Sequence, residues 1–202
     1  MLLPVQGLCL KSLTSTTPSA RRDSDLEQGV KEENMEQPTV SLEIVKEFLA
    51  QKRIALVGIS REPKDFSVTL FEELCRRGYD VVPVNPHTSE VSGQHCFARV
   101  QDIQPPVEAA LLMTSPRVTD CVVKDCAEAG IQRVWMYRAA GEGAVSPEAI
   151  QFCREHGIVV VPGQCPFMFW RDTGAVHRLH RFVRRITGRY PRHARAVPRH
   201  AA

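Results

Sequence analysis

From Thr39 to Pro162 the chain alternates short, almost wholly apolar runs with longer segments whose apolar residues recur at helical spacing. Residues 41–51, SLEIVKEFLAQ, place Leu42, Val45, Phe48 and Leu49 on one helical face, with Ser41 positioned to cap it. Arg53–Val57 is an apolar run that closes on Gly58, the pattern of a buried strand followed by a tight turn. Residues 67–77, SVTLFEELCRR, predict an amphipathic helix stopped by Gly78. Tyr79–Val84 predicts a second strand that ends at Asn85-Pro86, and Glu108–Met113 a third. Pro116 opens a helix over about residues 117–129, which Gly130 stops, and Arg133–Tyr137 predicts a fourth strand. A helix over residues 147–156 has Ser146 as its cap, Pro147 in its first turn and Gly157 at its end. Ile158–Val161 predicts a fifth strand, ended by Pro162-Gly163.

Strands that are nearly all apolar and alternate with helices imply a parallel sheet covered on both faces. Right-handed crossovers then make the simplest topology an α/β fold: a Rossmann-like, doubly wound, mainly parallel five-stranded sheet with helices on both faces. This domain is expected to span residues 39–170. Residues 1–38 are rich in Ser, Thr, Glu and Gln without apolar periodicity, and predict a disordered leader. After the apolar loop GQCPFMFW, residues 174–187 place Val176, Leu179, Val183 and Ile186 on one face and arginines on the other, predicting a last docked helix. Residues 188–202 predict a flexible tail, so 171–202 forms a basic C-terminal segment.

Composition changes this picture little. The hydrophobic fraction of 43% and charged fraction of 24% are those of a chain with a packed core. No apolar run approaches the roughly 18 residues of a membrane span, and Met1–Leu10 lacks the basic start and long apolar stretch of a signal peptide, so no membrane partner and a cytoplasmic location are expected. Charge says more. The net +3 divides into +8 over residues 171–202 and −5 over the rest. A basic tail suits nucleic acid, anionic lipid or an acidic partner. Nucleic acid is disfavoured, because no binding motif accompanies the charge and the only aromatics there are Phe182 and Tyr190. The favoured reading is a docked helix with its arginines in water. The seven cysteines are odd in number and include no C-x-x-C pair, which argues against a disulfide framework or a zinc site. Cys75, Cys121, Cys126 and Cys153 fall in predicted helices as small buried thiols.

In an open α/β sheet the ligand lies beyond the carboxyl ends of the strands, where strand order reverses, and the first strand normally flanks that point. The loop after it runs from Gly58 to Ser67. Gly58 permits a tight turn and close backbone approach. Ser60 and Ser67 offer hydroxyls, Lys64 a charge, and the following helix its free N–H groups, which together describe a phosphate cradle. The loop is not a dinucleotide fingerprint, since Gly58 stands alone where three glycines are needed. The end of the second strand, Pro83-Val84-Asn85-Pro86, carries no carboxylate to grip an NAD ribose, and no Walker sequence is present. NAD binding and ATP hydrolysis are both disfavoured.

Here the chain resembles the CoA-binding domain family, and within it the small stand-alone bacterial proteins similar to the N-terminal, nucleotide-binding domain of the succinyl-CoA synthetase α subunit. The resemblance covers about residues 41–170. It rests on Ile54–Ser60 (IALVGIS), Pro63 and Lys64 before the helix, Tyr79–Pro86 (YDVVPVNP), Thr114-Ser115-Pro116, Val134-Trp135-Met136 and Cys165-Pro166. It implies a Rossmann-type fold holding coenzyme A across the strand ends, with CoA or acyl-CoA as partner. Gly58, Ile59, Ser60 and the helix start at Ser67 would face the pyrophosphate. Asn85 and Pro86 would border the adenosine, and Thr114, Ser115 and Arg117 would complete the cleft. Arg117 brings a planar fork suited to phosphate, or is a solvated first-turn residue. Most relatives carry a longer arginine- or phenylalanine-containing turn in place of Met113-Thr114-Ser115.

Catalysis is not expected. The synthetases of the family use a second domain with a phosphorylated His and a separate ATP-binding subunit, and among the seven histidines no nucleophile–base spacing is visible. Cys165, just past the fifth strand, is a candidate to form a mixed disulfide with CoA or to accept an acyl group, against the reading of a buried loop thiol beside Phe167 and Trp170. Two alternatives to a binding protein stand: an NAD(P)- or nucleotide-dependent enzyme on the same fold, and an interaction protein that uses the basic tail.

Overall fold

The computed structural model describes residues 40–138 and 143–170, together with Asp172, Ile186, Tyr190 and Pro191. The expected leader over 1–38 lies outside the described residues. So does the expected helix over 174–187 apart from Ile186, which is helical and 67% exposed.

Helix α1 (Leu42–Leu49) starts where Ser41 Oγ accepts the Ile44 N–H, and it buries Val45 and Phe48. Strand β1 (Arg53–Val57) follows and is buried along most of its length. Helix α2 (Phe66–Arg76) leads back to β2 (Asp80–Val84). The chain then forms a small hairpin, β3 (Glu90–Val91) with β4 (Gln94–His95), and a 3₁₀ turn at Val100–Asp102 before entering β5 (Ala109–Leu112). Helix α3 (Pro116–Glu128), β6 (Arg133–Tyr137), α4 (Pro147–Glu155) and β7 (Val159–Gln164) complete the alternation. Both Pro116 and Pro147 open their helices, where a missing N–H costs nothing.

The main sheet has five parallel strands in the order β2-β1-β5-β6-β7. The chain winds outward from β1 in both directions, and right-handed crossovers therefore send helices to opposite faces. One core packs α1 and α2 against Ile54, Leu56, Leu111, Trp135 and Val161. The other packs α3 and α4 against Ala55, Val57, Ala110, Leu112 and Val134, with Val100, Ile103 and Val107 of the β2–β5 crossover. Alternate residues of each strand feed the two cores, which is why the strands are apolar throughout.

The fifth strand departs from expectation. It continues through Pro162 and Gly163 to Gln164, with a register shift opposite Met136 and Tyr137. β7 is an edge strand, where a proline removes no obligatory ladder bond, and the irregularity accommodates the extra residue. Pro83 sits in β2, the other edge, for the same reason; there Phe97 N–H donates to the Pro83 carbonyl and covers part of that edge.

Candidate functional site

Strand order reverses between β1 and β5, whose following helices leave to opposite faces and so open a crevice at the carboxyl ends. The two loops at that point touch. Gly58 has φ +84°, and a Cβ placed on it would lie 2.9 Å from Thr114 Cγ2 and 3.0 Å from the Met113 carbonyl oxygen. No other residue fits here, for reasons of both conformation and space. Gly58 N–H donates to the Val84 carbonyl at 2.9 Å, and Met113 N–H to the Val57 carbonyl at 2.8 Å. Asn85 ties in the third loop: its Nδ2 donates to the Ile59 carbonyl at 2.7 Å, and its Oδ1 accepts the His87 N–H at 2.8 Å. Pro86 is exposed beside it. The sequence-predicted residues Gly58, Asn85 and Thr114 are thus brought together at the switch point.

The loop after β1 ends in a capped helix. α2 begins at Phe66 with Asp65 as its N-cap, one residue ahead of the predicted start. Asp65 Oδ1 accepts the Ser67 N–H at 2.8 Å and also the Ser67 hydroxyl. Ser67 is 2% exposed, and its Oγ accepts the Ser60 N–H at 2.8 Å. Ser60 Oγ accepts the Glu62 N–H at 3.1 Å. Ile59 is fully buried in the α1/α2 core, so only its backbone faces the loop. Lys64 is exposed at the rim. Sequence reasoning passed over Asp65, although Asp directly before an amphipathic run is itself an N-cap signal.

The loop after β5 is arranged differently. Ser115 is the N-cap of α3 by backbone conformation, but its exposed side chain makes no cap hydrogen bond. Thr119 donates its hydroxyl to the Ser115 carbonyl at 3.1 Å and lies 2.7 Å from Thr114 Oγ1, so the Thr114 hydroxyl points along the helix start. Arg117 is exposed in the first turn. Of the two helices that start at the switch point, α2 has one first-turn N–H, that of Ser67, met by a side-chain carboxylate, and α3 has no side-chain cap bond.

Further along the strand ends, Tyr137 at the end of β6 meets Cys165 after β7; burial first, and then the Cys165 contact, push its phenol well above the ordinary range. Phe66 stacks on Tyr137 at 5.3 Å and meets Phe167 at 5.6 Å. Cys165 is 2% exposed and belongs to the α1/α2 core, the environment of a structural thiol. No group of three or more metal-ligating side chains occurs among the described residues, and none of their helices is long and apolar enough to cross a membrane.

These features define the class: a doubly wound, Rossmann-like α/β protein whose strand order reverses between β1 and β5. The particular family follows from comparison with known proteins. A family model described as CoA binding domain matches residues 52–171, and the chain belongs to that family. It is 29% identical over 122 residues to the uncharacterized Bacillus subtilis protein YneT, covering 60% of this chain and 87% of YneT. The structure of a hypothetical protein from Pyrococcus horikoshii OT3 superposes with a TM-score of 0.57 at 31% identity, over 61% of this chain and 84% of that one. A more distant relative is acetate–CoA ligase (ADP-forming) II of Archaeoglobus fulgidus, 22% identical over 122 residues; the match covers 56% of this chain and 18% of the ligase.

Proposed function

We propose that the protein binds coenzyme A or an acyl-CoA in the crevice between the loops after β1 and β5. The observation that carries the reading is that the family match over residues 52–171 contains all three switch-point loops, joined at Gly58 and Asn85. The donor set suits the ligand: the α2 start already seats a carboxylate oxygen, and a phosphate oxygen asks for the same donors. In this reading the Gly58–Ser60 backbone and Ser67 hold the pyrophosphate, with Lys64 adding charge at the rim. Thr114, Ser115 and Arg117 offer a second anion-binding side at the open start of α3, and Asn85 with Pro86 borders the adenosine. The ligand supplies the thiol or thioester chemistry. The chain's residues hold and orient it, and the reading is of a binding protein, not a catalyst. NAD is the weaker choice, since one glycine stands for three and the end of β2 lacks a carboxylate.

A thermal-shift panel with CoA, acetyl-CoA, dephospho-CoA, NAD, NADP and ATP tests this. A ligand at 100 times its Kd adds about 2.7 kcal/mol, which moves Tm by roughly 5–10 °C for a chain of this size. The expected result is a shift with CoA that weakens with dephospho-CoA. A shift with NAD or NADP and none with CoA would overturn the reading.

A further inference from the structure

The anion seat at the start of α2 is occupied from within the chain. Asp65 Oδ1 takes both the N–H and the hydroxyl of Ser67, and Ser67 Oγ takes the N–H of Ser60. The Ser60 N–H and both the N–H and the hydroxyl of Ser67, three donors that a phosphate would use there, are committed to this relay. The carboxylate itself is on an exposed residue at the loop's end, so it can turn into solvent without unpacking anything. The relay's inner member is fixed instead, because Ser67 is 2% exposed. The α3 start beside it shows that a cap carboxylate is not a requirement of the fold, since Ser115 stands in the same position with no side-chain cap bond.

We propose that Asp65 is a built-in occupant of the phosphate seat, displaced when a phosphate-bearing ligand binds, and that it sets how tightly such ligands are held. The proposal rests on the CoA reading for the identity of the natural ligand, but the seat can be probed without it. Two anions cannot share these donors, and their repulsion in a partly desolvated loop is substantial. The occupant therefore lowers affinity for the phosphate part of the ligand and leaves the pantetheine part alone. It makes the site selective for ligands that gain enough elsewhere in the crevice to expel the carboxylate.

The test compares the wild type with Asp65→Asn and Asp65→Ser by titration calorimetry. Asn and Ser are both strong N-caps, so α2 stays capped while the charge is removed; unchanged Tm values verify this. The probes are inorganic pyrophosphate, CoA and pantetheine. The expected result is that both variants bind pyrophosphate and CoA roughly ten-fold more tightly, with a gain that shrinks as salt rises, and that pantetheine is unaffected. Unchanged or weaker pyrophosphate binding in both variants overturns the proposal. If pyrophosphate binding tightens while CoA binds to none of the three proteins, the seat stands and the CoA reading falls.

Discussion

Gly58 is the residue most tightly determined by the site. Its φ of +84° is left-handed, and its missing Cβ leaves room for Thr114 and the Met113 carbonyl. Gly58→Ala should cost about 2 kcal/mol or more, from the left-handed conformation and the overlap together. That is a fall in Tm of at least roughly 4–8 °C. Pairing it with Thr114→Ser removes the Cγ2 at 2.9 Å but leaves the carbonyl at 3.0 Å and the strained φ, so recovery should be partial. Full recovery in a melting experiment would show that the methyl clash alone matters. The sequence pointed to Gly58, since a glycine ending an apolar run has few other uses. It did not reveal the partner across the crevice, because Gly58 and Thr114 are adjacent only after β1 and β5 pair. Ser67 illustrates the opposite case. Its hydroxyl reads from sequence as a free donor, whereas burial and the neighbouring Asp65 fix it in a relay.

At the level of elements, the helix bounds followed the sequence closely because the caps are local chemistry. Ser41 and Ser146 accept N–H groups three residues on, and prolines open α3 and α4. The end of β7 was not legible, since whether a proline stops a strand depends on whether that strand lies at an edge. The hairpin and 3₁₀ turn between β2 and β5 likewise carry little periodicity of their own; Val100, Ile103 and Val107 make sense only against the sheet face they cover. Helix α2 also meets Trp170 and Asp172 near its C-terminal end. Glu73 pairs with Arg76 and Arg77, both arginines reach Asp172, and the Arg77 guanidinium lies 4.3 Å from the Trp170 ring. The hydrogen bond from Arg76 first, together with Arg77, holds the Glu73 carboxyl below the usual carboxylate range. Its contribution to stability is therefore complete above the unfolded value of about 4.3 and is lost as pH falls through the lower native value. Glu73→Gln should lower stability at pH 7 by on the order of 0.5–1 kcal/mol, with the difference from wild type closing in strongly acidic buffer. A difference that stays constant with pH in urea titrations would assign the effect to packing instead.

For the whole molecule, the two faces of the sheet form separate cores, and the thiols report on one of them. Cys126 on α3 and Cys153 on α4 are fully buried in the same core. Burial pushes the Cys153 thiol up to about 11 and the Cys126 thiol higher still. At pH 8 both should resist iodoacetamide until the domain opens globally, so their alkylation rate should track unfolding and slow in the presence of a stabilising ligand. Rapid alkylation of either in native buffer, read by peptide mass spectrometry, would mean that the α3/α4 layer opens by itself. The sequence alone determined the order and type of the main elements, the parallel sheet covered on both sides, and the loop that begins the site. Each of those follows from periodicity and cap chemistry within a few residues. Tertiary structure decided which loops meet, which hydroxyls remain free, and where an edge strand may run through a proline. Those outcomes depend on strand order, and strand order brings together residues as far apart as Gly58, Asn85 and Thr114, whose contact leaves no local pattern in the chain.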